Sequence, residues 1–313
     1  MKKITIGIDF GTTNTVISYY KKSPIIFKES INDCIPTKIY FGDKIYCGNN
    51  IPINVDEKDK NLLSNFKTKI GTDFDFTYNN KLIKESEVLG IFFNHLKKKL
   101  EKSFPNTVFN TVLTVPSNFN DNQRTILINI ANSIGFNILR IINEPTAAAF
   151  AYGLSDSHQD EENIMVFDIG GGTTDISVLE IDDNFFETKD SVGINDLGGN
   201  DFTNVIYNDC IQTLKESINQ DILISQNKLI QLWYNCNRAK EKLSWVDSCQ
   251  IKINNFYMDN DLVYNLDKVK FKTLSKGILD RISRKISTIK KKYTIDKLIL
   301  VGGSSKLSII QEL

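Results

Sequence analysis

Two segments of this chain repeat one residue pattern, and the repeat limits the fold to a small set of architectures. IDFGTTN occupies residues 8–14 and FDIGGGTTD occupies residues 167–175. In each segment, an aspartate stands at the end of a stretch in which apolar residues alternate with others, as in a strand. Glycine, two threonines and a polar residue follow the aspartate, and a second alternating stretch begins after them. Each segment is therefore predicted to be the turn of a β-hairpin, and the hairpins should occupy equivalent places in two related halves.

The composition of these turns indicates phosphate binding. Glycine allows positive φ and close backbone approach, so successive N–H groups can point into one concavity and hold phosphate oxygens. Threonine hydroxyls add donors. Asp9 and Asp168 would repel a polyphosphate unless a divalent cation lay between them, so they predict Mg²⁺ held mainly through water. The pair of turns therefore predicts one nucleotide held between two lobes. A strand, not a helix, follows Gly172, which excludes the Rossmann fingerprint, and GxxxxGK[ST] is absent from the sequence.

The remaining sequence alternates strands and helices, which predicts an α/β fold. Strands are predicted at residues 2–9, 15–20, 111–116, 163–168, 176–182, 185–192, 250–257 and 297–301. Helices are predicted behind Ser86 as N-cap, with Val88, Leu89, Phe92, Phe93, Leu96 and Leu100 as the apolar stripe; behind Asn120 or Asp121, ending at Gly135; at 202–214 and 228–243; as one long helix over 271–289; and at the end of the chain.

Chain length and a polar stretch predict the domain boundary. At about 100–200 residues per domain, 313 residues favour two domains. Residues 155–163 are polar and separate the halves. The first lobe is predicted at 1–158, with the first turn and Lys67, and the second at 159–313, with the second turn.

Charge and cysteine content exclude several classes of function. The 38 basic residues balance 38 acidic ones, so no global excess favours nucleic acid or an anionic membrane, although a local patch stays possible. No apolar stretch approaches the ~18 residues of a spanning helix. The five cysteines form no CxxC pair, which argues against zinc and disulfides and favours a cytoplasmic protein. With two histidines, the chemistry is predicted to rest on carboxylates, hydroxyls, backbone amides and lysine.

Three further segments are candidates for the same site. Lys67 could reach a terminal phosphate, although its spacing also fits a surface position. NEPTAAA at 143–149 places Pro145 in the first helical turn and Glu144 at the helix start. LVGGS at 300–304 is a strand that enters a helix through glycines, which suits a sugar or phosphate edge and also an ordinary turn.

Taken together, six motifs resemble the ATPase domain of the seventy-kilodalton heat-shock chaperones, the family of the DnaK and HscA proteins. In chain order they are IGIDFGTTNT, TVPSNFNDNQR, LRIINEPTAAAFAYGL, VFDIGGGTTDISVLEI, LGGNDF and ILVGGS. The resemblance covers nearly the whole chain. It implies an actin-like fold of two lobes, each built on a mixed five-stranded-type sheet flanked by helices, with ATP or ADP and Mg²⁺ in the cleft between them.

The resemblance also implies roles for single residues. Asp9, Asp168 and Glu144 match the carboxylates that organise Mg²⁺, Lys67 matches the catalytic lysine, and Thr173 and Asp175 line the side from which water attacks. The first phosphate loop is matched by Gly11, Thr12, Thr13 and Asn14, and the second by Gly170, Gly171, Gly172 and Thr173. The nucleoside and β-phosphate contacts are matched by Gly198, Gly199, Lys240, Ser244, Gly302, Gly303 and Ser304. Pro116 and Arg124 match the family's relay to the substrate domain.

The implied activity is slow ATP hydrolysis by in-line attack of water on the γ-phosphorus. The implied partners are ATP, a J-domain co-chaperone and a nucleotide-exchange factor, with peptide clients only if a substrate domain is supplied elsewhere. Neither nucleic acid nor a membrane is expected as a partner.

Several positions depart from the family pattern. Asn237 stands where an acid is usual, Glu241 where a basic or apolar residue is usual, and Asn200 replaces an acid in LGGNDF. The stretch between Gly71 and Ser86 is short. The sequence lacks the closing elements expected after Leu313, so the chain is expected to be a truncated form of the domain.

Two other classes of function stay open at this point. The first is a truncated pseudo-ATPase that binds nucleotide without hydrolysis. The second is an actin-like filament or scaffold protein, and a sugar kinase fits less well because no second substrate pocket can be identified in the sequence.

Overall fold

A computed structural model describes residues 2–29, 33–57, 59–72, 74–153, 162–182, 185–218, 224–258 and 260–313. Most of the polar stretch at 155–163, with the boundary predicted at 158/159, lies outside the described residues. The chain divides into two compact units. Unit 1 comprises Met1–Pro52, Lys58–Glu162 and Leu179–Ser191, and unit 2 comprises Ile53–Glu57, Asn163–Val178 and Val192–Leu313.

The described residues form strands and helices throughout, which confirms the predicted α/β class. The strands are β1 (Lys2–Phe10), β2 (Asn14–Tyr20), β3 (Pro24–Ile26), β4 (Ile35–Pro36), β5 (Lys38–Phe41), β6 (Ile45–Cys47), β7 (Leu62–Ser64), β8 (Asp75–Tyr78), β9 (Lys81–Lys84), β10 (Thr107–Val115), β11 (Asn137–Asn143), β12 (Glu162–Ile169), β13 (Thr174–Asp182), β14 (Phe185–Ile194), β15 (Ser248–Tyr257), β16 (Asn260–Asp267) and β17 (Lys297–Val301). The helices are α1 (Glu85–Ser103), α2 (Asp121–Ile134), α3 (Glu144–Gly153), α4 (Gly199–Ile218), α5 (Gln226–Lys242), α6 (Lys268–Leu274), α7 (Lys276–Lys290) and α8 (Ser308–Gln311).

The main sheet of unit 1 has six strands in the order β11-β10-β1-β2-β3, with β4 also paired to β2. β1 runs parallel to β10 and antiparallel to β2. Phe10 faces Thr15 across the β1–β2 ladder, which confirms the first predicted hairpin. The predicted five strands become six because the short β4 adds to β2 at Asn14 and Thr15.

An aromatic cluster fixes α1 on this sheet. The Phe10 ring lies 5.2 Å from Phe93 and 5.9 Å from Phe92, and Phe66 lies 5.6 Å from Phe92, between ring centroids. The predicted stripe of α1 is buried in full. Since Phe66 begins the 3₁₀ turn Phe66–Lys69, this packing also positions Lys67.

The predicted N-cap of α1 is wrong by two residues. The helix begins at Glu85, and Lys84, not Ser86, is the N-cap. The Lys84 N–H donates to the Glu87 carboxylate at 3.1 Å, so an acid in the first turn replaces the serine hydroxyl as the capping group. The predicted α2 is confirmed: Asn120 caps it, and Gly135 ends it with a φ of 98°.

The second large sheet has the order β14-β13-β12-β17, which is four strands in the described chain and not the predicted five. β12 and β17 are parallel, and Asp168 pairs in register with Val301. β15 and β16 form a separate two-stranded sheet whose buried side chains, with those of α4 and α5, build the core of unit 2.

The long helix predicted over 271–289 is two helices, α6 and α7, joined at Ser275. Ser275 has φ −85° and ψ 0°, and its N–H still donates to Phe271 O at 3.0 Å. The break therefore changes the helical period little, which is why apolar spacing alone did not reveal it. None of the helices in the described part of the chain is both long and apolar enough to cross a membrane.

Candidate functional site

The first loop, in unit 1, leaves β1 at Asp9 and enters β2 at Asn14. Gly11 N–H donates to Asp9 O at 3.2 Å. A Cβ on Gly11 would lie 2.2 Å from Asn14 O, so only glycine allows this turn. Thr37 N–H donates to Thr13 O at 2.8 Å and holds the loop against the following segment.

Two polar groups of this loop, the Asp9 carboxylate and the Thr13 hydroxyl, are suited to ligand binding. The Asp9 carboxylate accepts a hydrogen bond from Thr114 Oγ1 at 2.7 Å, from the strand beside β1. Thr13 Oγ1 is buried and has no hydrogen-bond partner within the described chain. A buried hydroxyl without a partner costs about 1–3 kcal/mol. This orphaned donor is the kind of group that a bound phosphate would satisfy.

Lys67 and Glu144 form a buried ion pair in the same unit. Lys67 Nζ lies 2.5 Å from Glu144 Oε1, and the Lys67 side chain is 2% exposed. The ammonium also lies 5.6 Å from the centre of the Phe10 ring and 5.9 Å from that of Phe119. Aromatic faces and a carboxylate on a buried cation restrict its movement. The lysine is therefore part of the interior of unit 1, not a surface group.

Arg124 connects α2 to the residue that precedes Glu144. Its Nη2 donates to Asn143 Oδ1 at 2.8 Å, and its Nε donates to Phe119 O at 3.0 Å. Phe119 N–H in turn donates to Pro116 O at 3.2 Å. Pro116 and Arg124 are therefore linked by hydrogen bonds to the start of α3, where Glu144 lies.

The second loop, in unit 2, joins β12 to β13, and three of its carbonyl groups, those of Gly170, Gly171 and Thr173, accept hydrogen bonds. Gly170 O accepts from Gly199 N–H at 2.9 Å and from Ser304 Oγ at 2.8 Å. Gly171 O accepts from Asn200 N–H at 2.8 Å. By contrast, the N–H groups of Gly171, Gly172 and Thr173 donate to no group in the described chain. Successive unpaired amides of this kind form an anion-binding concavity.

Glycines from two other segments make this arrangement possible. A Cβ on Gly198 would lie 2.6 Å from Gly172 N, and one on Gly199 would lie 2.3 Å from Ser304 Oγ. Gly302 has a φ of 81°, and its Cβ would lie 2.3 Å from Ile169 O. The structure thus brings Gly198, Gly199, Gly302 and Ser304 against the second loop, although they are far from it in sequence.

Lys240 lies at the start of α4, where its ammonium contacts only neutral groups of the described chain. Its ammonium donates to Gly199 O at 2.9 Å, Thr203 Oγ1 at 3.0 Å and Asn237 Oδ1 at 2.8 Å. Among the described residues no carboxylate lies within 4.0 Å of it. Burial lowers the pKa of Lys240 to about 8, and the Glu241 charge opposes this shift. Glu241 accepts instead from Asn237 Nδ2 at 2.9 Å.

Three further predicted site residues are Asp175, Gly303 and Ser244. Asp175 is in β13, and its Oδ1 would lie 2.8 Å from a Cβ on Gly193. Gly303 begins a 3₁₀ turn, and a Cβ there would meet nothing within 4 Å. No hydrogen bond joins the Ser244 side chain to another candidate in the part of the chain that the structure describes. Within the described ranges, no three His, Cys, Asp or Glu side chains cluster closely enough to hold a metal ion.

Sequence reasoning missed several supporting residues. Asp201 accepts from Gly198 N–H at 2.8 Å, and its place three residues after Gly198 is a capping pattern that could have been recognised. Thr114 and Thr203 had no such signal, because their partners Asp9 and Lys240 are distant in sequence.

Comparison with known proteins gives a consistent result. The family model described as Hsp70 protein matches residues 75–313. The Chaperone protein DnaK of Mycoplasmopsis agalactiae is 33% identical over all of this chain and 54% of its own length. The protein of the same name from Ureaplasma parvum is 32% identical with the same coverage, and the Heat shock 70 kDa protein of Neurospora crassa is 30% identical over 98% of this chain and 53% of its own. The chain thus spans about half the length of the curated relatives that it matches.

Proposed function

Because this chain belongs to the Hsp70 protein family, we propose that it is the nucleotide-binding module of a chaperone, which binds ATP with Mg²⁺ and hydrolyses it slowly. The α/β fold with mixed sheets and helices is consistent with the actin-like ATPase fold of that family. The family similarity does not favour the two alternative functions, a pseudo-ATPase or a filament protein.

The observation that carries the proposal is the orientation of the second loop. Its carbonyls at Gly170 and Gly171 are used by neighbouring segments, while three successive N–H groups, Gly171 to Thr173, are left without partners in the described chain. Because three of the four carbonyls from Gly170 to Thr173 accept hydrogen bonds from described groups, the backbone presents mainly donors, which attract phosphate oxygens. The glycine contacts around it leave no room for side chains, as close approach of a ligand requires.

The first loop supplies a similar set of groups. The buried Thr13 hydroxyl and the N–H groups of Thr12 and Thr13 also have no partners in the described residues. We propose from the family resemblance that both loops contribute to one nucleotide site between two lobes, with the lobes at 1–158 and 159–313.

Asp9, Asp168 and Glu144 are the carboxylates proposed to hold Mg²⁺, mainly through its water shell, because no three acids of the described chain form a direct cluster. When bound, the ion would neutralise phosphate charge. The unpaired N–H donors and the orphaned Thr13 hydroxyl fit the phosphate groups of the nucleotide, whereas the carboxylate oxygens are the groups that suit Mg²⁺ and its waters.

In the proposed reaction, water attacks the γ-phosphorus in line with the leaving group. Lys67 would stabilise charge on the transferred phosphoryl group, and Glu144 holds its ammonium in place. Thr173 and Asp175 are proposed to orient the water. The nucleoside and β-phosphate contacts are proposed to come from Gly198, Gly199, Lys240, Ser244, Gly302, Gly303 and Ser304.

The relatives' names describe chaperones, and the chain covers only about half of them. A J-domain co-chaperone, a nucleotide-exchange factor and, through a further domain, peptide clients are therefore part of the proposal for the whole protein. The cytoplasmic location stays a prediction from the sequence.

Calorimetric titration of the chain with ATP and Mg²⁺ tests the proposal. Saturable heat at micromolar to millimolar ATP is expected. Gly198→Ala should weaken binding at least tenfold, because the added Cβ displaces the second loop, whereas Gly90→Ala, where a Cβ meets nothing within 4 Å, should bind as the parent does. No heat at millimolar ATP from a chain with a cooperative thermal transition would refute nucleotide binding.

A further inference from the structure

Helices α6 and α7 carry a strong local excess of positive charge. Residues 268–292 contain ten Lys or Arg side chains and a single acid, Asp280. The other 288 residues therefore hold 28 of the 38 basic side chains and 37 of the 38 acidic ones. The formal neutrality of the chain conceals a segregated charge distribution.

Ion pairs neutralise part of this excess, mostly on α6. The pairs are Lys268 with Asp247 at 3.0 Å, and, each at 2.8 Å, Lys270 with Asp209, Lys272 with Glu312 and Arg281 with Asp196. Five other cations have no carboxylate within 4.0 Å among the described residues: Lys276, Arg284, Lys285, Lys290 and Lys291. The uncompensated charge therefore lies on α7 and its C-terminal end.

The outer face of α7 is cationic and lacks an apolar anchor. Leu279, Ile282 and Ile289 are buried in the core of unit 2. Lys276, Arg284, Lys290 and Lys291 are exposed, and no large hydrophobic side chain between positions 276 and 292 is exposed. At 1.5 Å per residue, the 15 residues of α7 spread these charges over about 22 Å. We call this surface the α7 basic face.

Helix stability does not account for all of these cations. Lys290 and Lys291 lie at the helix C-terminus, where positive charge is favourable. Lys276 lies where α6 ends and α7 begins, so the opposite end dipoles of the two helices largely cancel there, and the first turn of α7 contains no acid. The five unpaired cations also repel one another. A binding function explains why the charge extends along the whole helix.

We propose that the α7 basic face binds the phosphate backbone of nucleic acid, independently of base sequence. A protein partner usually requires apolar or aromatic anchors at the centre of the interface, and lysine is depleted there. Insertion into a membrane surface requires an exposed apolar face, which α7 lacks. Contact with phosphates requires only cations, and four of the five are lysines, which act as mobile point charges. None of the five cations is among the residues proposed to contact the nucleotide.

Fluorescence anisotropy with a labelled 30-nucleotide oligouridylate tests the proposal. The full chain is used with 1 mM ATP and Mg²⁺ present, so that the proposed nucleotide site does not bind the probe. Five phosphate contacts on a single strand predict a slope of about −3.5 for log K against log salt, at about −0.7 per contact. The variant Lys276→Gln/Arg284→Gln/Lys291→Gln should reduce the slope to about −1.4 and weaken binding at least tenfold in 50 mM salt.

The matched control is Lys60→Gln/Lys102→Gln/Lys215→Gln, which removes three exposed lysines that have no ion pair in the described chain. It should bind the probe within twofold of the parent. Equal loss in both variants would show that overall charge is responsible and would overturn the proposal. A parent chain that does not bind the oligouridylate would also overturn the proposal. Binding of polyglutamate at least as tight as that of the RNA, or binding to phosphatidylserine vesicles without RNA binding, would assign the face to another partner. None of these outcomes changes the result expected from ATP calorimetry, so a failure of this proposal is distinguishable from a failure of the proposed nucleotide binding.

Discussion

Lys67 and Glu144 are 77 residues apart in the chain, yet their side chains meet at 2.5 Å in the interior of unit 1. Lys67→Met keeps the volume of the side chain and removes its charge. We expect ATP hydrolysis to fall at least a hundredfold while ATP affinity changes by less than tenfold, because the ammonium is proposed to act on the transferred phosphoryl group. Single-turnover phosphate release and calorimetry measure the two effects. Lys69→Met, at an exposed position of the same turn, is the control, and full activity of Lys67→Met would contradict the catalytic role.

The buried pair also predicts a structural cost. Lys67→Met removes the cation that Glu144 contacts at 2.5 Å; breaking a fully buried pair costs about 3–5 kcal/mol, and the cost should be less here because Glu144 is 19% exposed. The free energy of unfolding, measured in urea, should therefore fall in Lys67→Met and recover largely in Lys67→Met/Glu144→Gln. Without such recovery, the pair does not contribute to stability as described.

Thr13 and Thr15 should respond in opposite ways to the same substitution. Thr13→Val removes an orphaned hydroxyl, so we expect the free energy of unfolding of the ligand-free chain to rise by about 1–3 kcal/mol and ATP affinity to fall. Thr15→Val removes a partner of the buried Thr37 hydroxyl at 2.9 Å, and should cost about 1–3 kcal/mol. Thermal unfolding with and without ATP distinguishes them. Equal destabilisation by both would contradict the orphaned state of Thr13.

Because of Lys240, we expect the free energy of unfolding to rise with pH. Its pKa is about 8 in the folded chain against 10.5 ordinarily, because it is buried. Between these values the unfolded chain binds more protons, so the free energy of unfolding should increase from pH 8 to 10.5. The full shift corresponds to at most about 3 kcal/mol. Urea unfolding at pH 7.5 and 9.5 of the parent and of Lys240→Met isolates this contribution.

Asn237 is the position at which this pH dependence can be removed. Asn237→Asp places a carboxylate beside the Lys240 ammonium, which its amide oxygen now contacts at 2.8 Å. The pKa of Lys240 should rise, and the gain in stability above pH 8 should disappear. Asn235→Asp adds the same charge elsewhere on α5 and should keep the gain. A gain that persists in Asn237→Asp would show that another group titrates.

Gly302 and Gly277 should differ sharply on substitution by alanine. At Gly302 the φ of 81° and a Cβ only 2.3 Å from Ile169 O predict a loss of several kcal/mol or failure to fold. At Gly277, in α7, a Cβ meets nothing within 4 Å, and alanine should stabilise by about 0.5–1 kcal/mol. Thermal melting of both variants checks the contrast, which an equal effect would contradict.

Sequence reasoning succeeded where one periodicity extends over many residues. The stripes of α1 and α2 and the first hairpin are long enough for the burial pattern to dominate. It failed for β3 to β9, because these strands are two to four residues long and are set by tertiary pairing. β16 was missed although Leu262, Tyr264 and Leu266 alternate clearly with exposed neighbours.

The candidate site also contains residues that the sequence could predict and residues that it could not. Gly11 was predictable, because a Cβ there would lie 2.2 Å from Asn14 O, so that the turn allows only glycine. The contacts between Thr114 and Asp9, or between Lys240 and Gly199, depend on which distant segments are adjacent, and no local pattern encodes this. Gly198, Gly199 and Lys240 were predicted as site residues only from the resemblance to a known family.

The parallel register that pairs Asp168 with Val301 has a consequence for how this chain can vary in length. Side chains alternate faces along a strand, so one residue gained or lost within Lys297–Val301 would turn Gly302 and Ser304 away from the second loop. The same change in the segment before β17 would leave that orientation intact. Natural insertions and deletions should therefore be tolerated at 291–295 and be absent from Asp296, whose N–H donates to Asn163 O at 2.9 Å, and from the five residues that follow.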